Sequence, residues 1–289
     1  MFAITGITGQ VGGVVARSLL ADGHAVRAVV RDSAKGLAWA QQGCSVAQAA
    51  MEDAAALQEA FTGVEGVFVL LPPNFDPHPD NPVTERQIAA LHTALLAARP
   101  DKVVCLSTIG AQASQPNLLQ ILGLLERTLA DLPIPVDFLR AGWFMENAAW
   151  DVAPARSAGI IPCFLQPLDK PVPMVATADV GRVAAELLQQ NWQGPRVVQL
   201  EGPQRVTPLQ LAESFSRLLG RPVQMDCVPR DAWERLFKAQ GMRNPRPRMQ
   251  MLDGFNEGWI EFEGGAAATQ KGRVQLDTVL QGLIDAAVA

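Results

Sequence analysis

Gly6-Ile7-Thr8-Gly9-Gln10-Val11-Gly12 stands between an apolar run, residues 2–5, and a segment in which Val11, Val14, Val15, Ser18 and Leu19 recur at helical spacing. A strand, a glycine turn and an amphipathic helix in that order give the glycines a meaning that the pattern alone lacks. Gly6 permits a tight turn, Gly9 lets a phosphate approach the backbone, and Gly12 lets the helix pack closely on the strand. The N–H groups that open the helix have no carbonyl partner and suit an anion. The stretch reads as a dinucleotide-binding turn contacted through Thr5, Gly6, Thr8, Gly9, Gln10, Val11 and Gly12. The plainer alternative is a merely glycine-rich connection.

Working outward, short apolar runs at 2–5, 25–30, 45–48, 67–71, 103–107 and 136–139 alternate with amphipathic helical segments. Repeated strand–helix units feed a parallel sheet covered on both faces, so the fold class is α/β, a Rossmann-type doubly wound sheet. After Gly142 the pattern breaks at Pro154, Pro162, Pro167, Pro171 and Pro173. Beyond it come helices at 177–190, 207–219, 231–240, 248–261 and 276–287, with strands at 197–201 and 223–228. We therefore expect a dinucleotide-binding domain over 1–142 and a smaller α+β lobe over 143–289, interleaved with the first. Gly264-Gly265-Ala266-Ala267-Ala268 reads as a loop.

The end of the second strand selects the cofactor. A carboxylate there suits the ribose hydroxyls of NAD, whereas a cation suits the 2′-phosphate of NADP. The sequence is Val29-Val30-Arg31-Asp32-Ser33-Ala34-Lys35, in which Arg31 offers a planar fork and Lys35 a second charge. NADPH is favoured over NAD; the alternatives are that Asp32 faces the ribose or that Arg31 is a solvated surface residue.

Composition sets bounds. The 289 residues are 48% hydrophobic with a formal charge of −5, and no dense Lys/Arg run is present, so neither nucleic acid nor an anionic membrane is an expected partner. Cys44, Cys105, Cys163 and Cys227 form no CxxC pair and read as reduced thiols, and the three histidines form no cluster suited to a metal. With no transmembrane or secretory segment in view, the expected location is the cytoplasm.

The glycine turn, Arg31, the Asp53 turn, Leu71-Pro72-Pro73, Val104-Cys105-Leu106-Ser107 and Leu139-Arg140-Ala141-Gly142-Trp143-Phe144-Met145-Glu146-Asn147 together resemble the NmrA-like atypical short-chain dehydrogenases. The resemblance extends through Thr177-Ala178-Asp179-Val180-Gly181 to the closing segment 272–280. It implies the fold, an NADP(H) site that Leu71, Pro72, Pro73 and Ser107 also line, and a choice between quinone or dye reductases and redox-responsive regulators. Two departures stand out. Ala50 occupies the place of an acidic adenine contact, and the chain has no tyrosine, so the Tyr-x-x-x-Lys proton donor is missing. Leu122 stands four residues before Glu126, where a relative carries Lys or His.

Hydride transfer needs little beyond positioning, but ketone reduction also needs an acid. A quinone-like acceptor therefore survives the loss of the tyrosine. Its expected pocket lies at the strand C-termini, lined by Phe75, Ile109, Trp143, Phe144 and Asn147. Ser107, Thr108 and His78 are the candidate catalytic polar groups. For each of these an ordinary strand-end, cap or surface role is the competing reading, as lobe packing is for Trp143 and Phe144. Residues 74–82 read as a loop, a lid over the pocket. Two functions follow: an NADPH-dependent oxidoreductase acting on a small aromatic acceptor, and a non-catalytic NADP(H) sensor acting through a regulatory protein partner. A homodimer stays open in either case.

Overall fold

The computed structural model describes residues 1–78 and 81–287. Eight strands form one sheet in which every pairing is parallel: β1 (Phe2–Ile4), β2 (Val26–Val30), β3 (Ser45–Gln48), β4 (Gly66–Val69), β5 (Lys102–Thr108), β6 (Val136–Ala141), β10 (Pro195–Glu201) and β12 (Gln270–Lys271). Their order across the sheet is β12-β10-β6-β5-β4-β1-β2-β3. The chain starts in the middle at β1, winds outward through β2 and β3, then reverses through β4, β5 and β6. That places the topological switch between β1 and β4, where doubly wound sheets bind ligands.

Helices cover both faces. One face carries α1 (Gln10–Ala21), α2 (Ser33–Ala40) and α7 (Thr177–Leu188), whose Val15, Leu19, Trp39, Val180 and Leu188 pack over Phe2, Ile4 and Phe68. The other carries α3 (Ala54–Phe61), α4 (Pro82–Ala98) and α5 (Gln120–Leu129), packed through Leu57, Phe61, Leu91, Leu95 and Leu125 over Val67, Val103 and Phe138. Near-continuous apolar strands such as β1 and β4 follow from burial on both faces.

A third core belongs to the second half. It gathers α6 (Ala149–Ser157), β8 (Ile160–Cys163), α8 (Pro208–Leu219), β11 (Gln224–Cys227), α9 (Trp233–Ala239), α10 (Arg246–Glu257) and α11 (Leu276–Ala286) around Phe215, Trp233, Phe237 and Leu280. Two small sheets serve it: β8 with β11, and β7 (Trp143–Phe144) with β9 (Met174–Val175). The halves interpenetrate. α7, β10 and β12 come from the second half yet complete the large sheet and its helical layer. Asp179 on α7 ties them further, accepting the N–H groups of Arg273 at 2.7 Å and Val274 at 2.8 Å. Among the described residues no helix is long and apolar enough to cross a membrane.

Several elements differ from the sequence reading. α2 is an unforeseen helix, and Lys35 sits in its first turn. The helix expected over 248–261 is α10, which stops at Glu257 because Gly258 takes a left-handed φ of 91°. Residues 259–263 are thereby freed to run along the sheet, where Glu263 exchanges backbone bonds with the Gln199 side chain. The proline-rich stretch is not shapeless, since α6 runs through Pro154 and β8 includes Pro162. The small-residue stretch contains a 3-10 turn, Gly265–Ala268, in place of an open loop.

Candidate functional site

The crevice at the switch point is made mainly of backbone. Gly6 adopts φ 63°, and a Cβ on Gly12 would lie 2.3 Å from the Gly6 carbonyl oxygen, so any side chain at position 12 must displace the turn. Gly9 caps α1 without a side-chain bond, leaving the opening N–H groups of α1 directed toward the crevice. Beneath the turn, Thr5 donates its hydroxyl to the Phe68 carbonyl at 3.1 Å and accepts the Leu70 N–H at 2.8 Å. Thr5 thus stitches β1 to β4 at the floor of the crevice, and its hydroxyl is occupied by that work. On the far side Gly181 lets α7 approach α1, since a Cβ there would meet Val14 at 2.5 Å.

A cleft of about 480 Å³ opens beside the turn, lined by Ile7, Thr8, Gly9, Arg17, Lys35 and Trp39. Arg17 and Lys35 reach it from α1 and α2, with the Arg17 guanidinium 5.7 Å from the centre of the Trp39 ring. Arg31 is exposed at the end of β2 and lies outside this lining, its carbonyl accepting from Gln48 at 3.2 Å. Asp32 caps α2 by accepting the Ala34 N–H at 2.9 Å. Thr8, Gly9 and Lys35, named from the sequence, thus line one cleft, and Arg17 and Trp39, which were not named, line it with them. Their signal was the helical spacing of a cation one turn past the glycines, legible only once α2 is placed opposite.

The residues expected from the sequence to face an acceptor lie on the loops after β4, β5 and β6, which are adjacent strands. Leu71 is buried and Pro72 half-buried, whereas Pro73 and Phe75 are exposed, Phe75 by 63%. Asp76 fastens this loop to the second half by accepting the backbone N–H groups of Arg243 at 3.0 Å and Asn244 at 2.7 Å. Those bonds hold its carboxyl below the usual range. His78 is exposed in the same loop; Pro79 and Asp80 of the expected lid lie outside the described residues.

Ile109 is 1% exposed and belongs to the core of the second half. Trp143 is half-buried with its ring edge-on to Phe255 at 5.3 Å, and Phe144, also half-buried, packs against the sheet core. Asn147 is exposed on a 3-10 turn, Met145–Ala148. Its neighbour Glu146 caps α7 through the Thr177 N–H at 2.9 Å and hydroxyl at 2.6 Å.

Ser107 is buried, and its hydroxyl donates to Glu126 at 2.5 Å. Arg140 clamps the same carboxylate through Nε at 2.8 Å and Nη2 at 2.6 Å, and also contacts Glu263. Burial acts to lower the Arg140 guanidinium, but its bonds to Glu126 and Glu263 outweigh this and hold it above its ordinary value. Thr108, the neighbouring candidate, is half-buried at the end of β5. Leu122 packs against the sheet core beside this network.

In sequence and overall fold the chain is similar to several known reductases. A (4-alkanoyl-5-oxo-2,5-dihydrofuran-3-yl)methyl phosphate reductase of Streptomyces griseus is 31% identical over 80% of this chain and 78% of its own. Quinone oxidoreductase 2 of Escherichia coli is 30% identical over 84% of this chain and 82% of its own. The solved structure of an Escherichia coli NADPH-dependent quinone oxidoreductase complexed with NADPH superposes with a TM-score of 0.82 at 26% identity, covering 98% of this chain and 99% of that one. The NmrA-like family model matches residues 1–258, and the chain belongs to the NmrA-like family.

Proposed function

We propose that this chain is an NADPH-dependent oxidoreductase that passes hydride to a quinone or a similarly flat, conjugated acceptor. The observation that carries the reading is the crevice between β1 and β4, where Gly12 leaves no room for a Cβ and an uncapped helix start suits a pyrophosphate. Lys35 and Arg17 give its flank positive charge, and Arg31 stands close by at the end of β2. A 2′-phosphate suits that flank better than a bare ribose. The relatives named as an NADPH-dependent quinone oxidoreductase support the same choice.

NADPH bound there supplies the hydride, and the protein's part is to position and enclose. The chain has no tyrosine, and the Ser107 hydroxyl is spent on Glu126. An acceptor that needs no proton at the moment of transfer fits such a site. A quinone takes hydride to give a stabilised anion, which solvent protonates afterwards. The loops after β4, β5 and β6 offer it proline and aromatic surface in Pro72, Pro73, Phe75 and Trp143.

The test is a turnover panel with purified protein, NADPH or NADH, and benzoquinones, naphthoquinones, cationic dyes and simple ketones. Quinone reduction faster with NADPH than with NADH, and ketones left untouched, is the expected pattern. No oxidation of NADPH above the protein-free control with any acceptor would remove the reading.

A further inference from the structure

The small sheet of the second half brings two of the four cysteines together. β8 and β11 run parallel and pair residue for residue, and the last pair in that register is Cys163 with Cys227. Adjacent strands lie about 4.7–4.9 Å apart. A disulfide spans Cα separations of roughly 4.4–6.8 Å, so the two backbones already stand at bridging distance.

Paired residues in neighbouring strands project to the same face. Two residues earlier in the register, Ile161 and Met225 both pack into the core of the second half, so the two thiols leave their strands toward that same side. The backbone around them is pinned. The Val228 N–H donates to the Cys163 carbonyl at 2.9 Å, and the Val228 carbonyl accepts from Trp233 at 2.8 Å and Gln166 at 3.1 Å.

The thiols differ in access, since Cys227 is exposed and Cys163 buried. Burial, with the nearby Cys227 and Asp151 adding to it, pushes the Cys163 thiol up to about 11. An oxidant from solvent therefore meets Cys227 first. Cys44 and Cys105 are buried on other elements.

We propose that Cys163 and Cys227 form a reversible redox pair that closes to a disulfide on exposure to a peroxide. The peroxide transfers one oxygen to the Cys227 sulfur, giving a sulfenic acid and releasing water. The Cys163 sulfur then attacks that sulfur and gives up its proton; the S–O bond breaks and a second water leaves. Two thiols together lose two electrons and two protons, and the peroxide is reduced to water. A dithiol reverses the step.

In the reduced protein Cys163 donates its thiol to the Leu165 carbonyl at 3.3 Å. Closure removes that donor next to Phe164, whose ring packs on Trp233 at 5.8 Å and Phe237 at 5.0 Å. The pair thus couples peroxide to the aromatic cluster of the second half.

The experiment exposes the reduced full-length protein to stoichiometric hydrogen peroxide, alkylates the remaining thiols under denaturing conditions and maps the peptides by mass spectrometry. The expected product is one intramolecular cross-link between the peptides carrying Cys163 and Cys227, absent after dithiothreitol, with Cys44 and Cys105 fully alkylated. Cys227→Ser should give no cross-link. Cys163→Ser should leave Cys227 as a sulfenic acid that dimedone traps. A wild-type map in which Cys163 stays alkylatable overturns the proposal, whether Cys227 is then untouched, over-oxidised or linked to a second chain.

Discussion

The glycine crevice and the acceptor side sit at the same ends of neighbouring strands, yet they are built by opposite means. The crevice is backbone: glycines at 6, 9 and 12 and an uncapped helix start, with the cations Arg17 and Lys35 lining the cleft beside it. The acceptor side rests on side chains that reach across the fold, with Ser107 on β5, Glu126 on α5, Arg140 on β6 and Glu263 beyond α10 sharing one network. A backbone site tolerates changes in the side chains around it but not the addition of a Cβ within it. A side-chain network behaves in the reverse way, because its buried Glu126 and Arg140 depend on each other for compensation of their charges.

Breaking the network should have the largest effect. Arg140 and Glu126 are 6% and 8% exposed, so Arg140→Leu leaves a carboxylate uncompensated in the interior. A loss of about 3–5 kcal/mol in unfolding free energy is expected, read by urea denaturation. A loss below about 1 kcal/mol would mean that the network is not what braces this side.

Next comes the turn. Gly12→Ala sets a methyl 2.3 Å from the Gly6 carbonyl, and overpacking of that kind costs about 1–3 kcal/mol. The distinguishing readout is NADPH affinity by fluorescence titration, which should collapse in Gly12→Ala but only soften in Arg140→Leu. Equal losses would erase the contrast between the two regions.

That contrast also explains what the sequence disclosed. Strand and helix order, the switch point and the glycine turn are encoded by neighbours within a few residues, so periodicity and spacing reach them. Ser107 looked like a free hydroxyl because its partner Glu126 is 19 residues away on another element. Arg17 and Trp39 escaped notice because the cleft they share needs α1 and α2 to face each other. The Cys163 and Cys227 pairing depends on the register between the strand foreseen at 223–228 and β8, whose Pro162 and short length disguise it as loop. Gly258, which ends α10 and releases the segment carrying Glu261 and Glu263, lay inside an apparently continuous helical run.

A smaller effect tests the cationic flank. Arg17→Gln with Lys35→Gln should weaken NADPH binding roughly tenfold or more, as expected for loss of a charge-assisted contact worth about 1.5–3 kcal/mol, and leave NADH nearly unchanged. Arg31→Ala, measured beside it, sharpens the assignment. If Arg31 alone carries the whole NADPH preference, the 2′-phosphate is held outside the cleft that Lys35 and Arg17 line.

A last test is a pH dependence that belongs to the second half alone. Asp151, half-buried at the start of α6, has its carboxyl raised from 3.8 to about 7 by burial. Between those two values the folded state binds more protons than the unfolded chain, so this residue's contribution to stability falls as pH rises. The penalty is absent below 3.8 and complete above about 7. Asp151→Asn should therefore gain stability relative to the wild type as pH climbs through that window and match it at the acid end. NADPH affinity, set in the crevice between β1 and β4, should show no such divergence between the two proteins. Parallel stability curves for variant and wild type would place the Asp151 carboxyl in contact with solvent and remove burial as its governing influence.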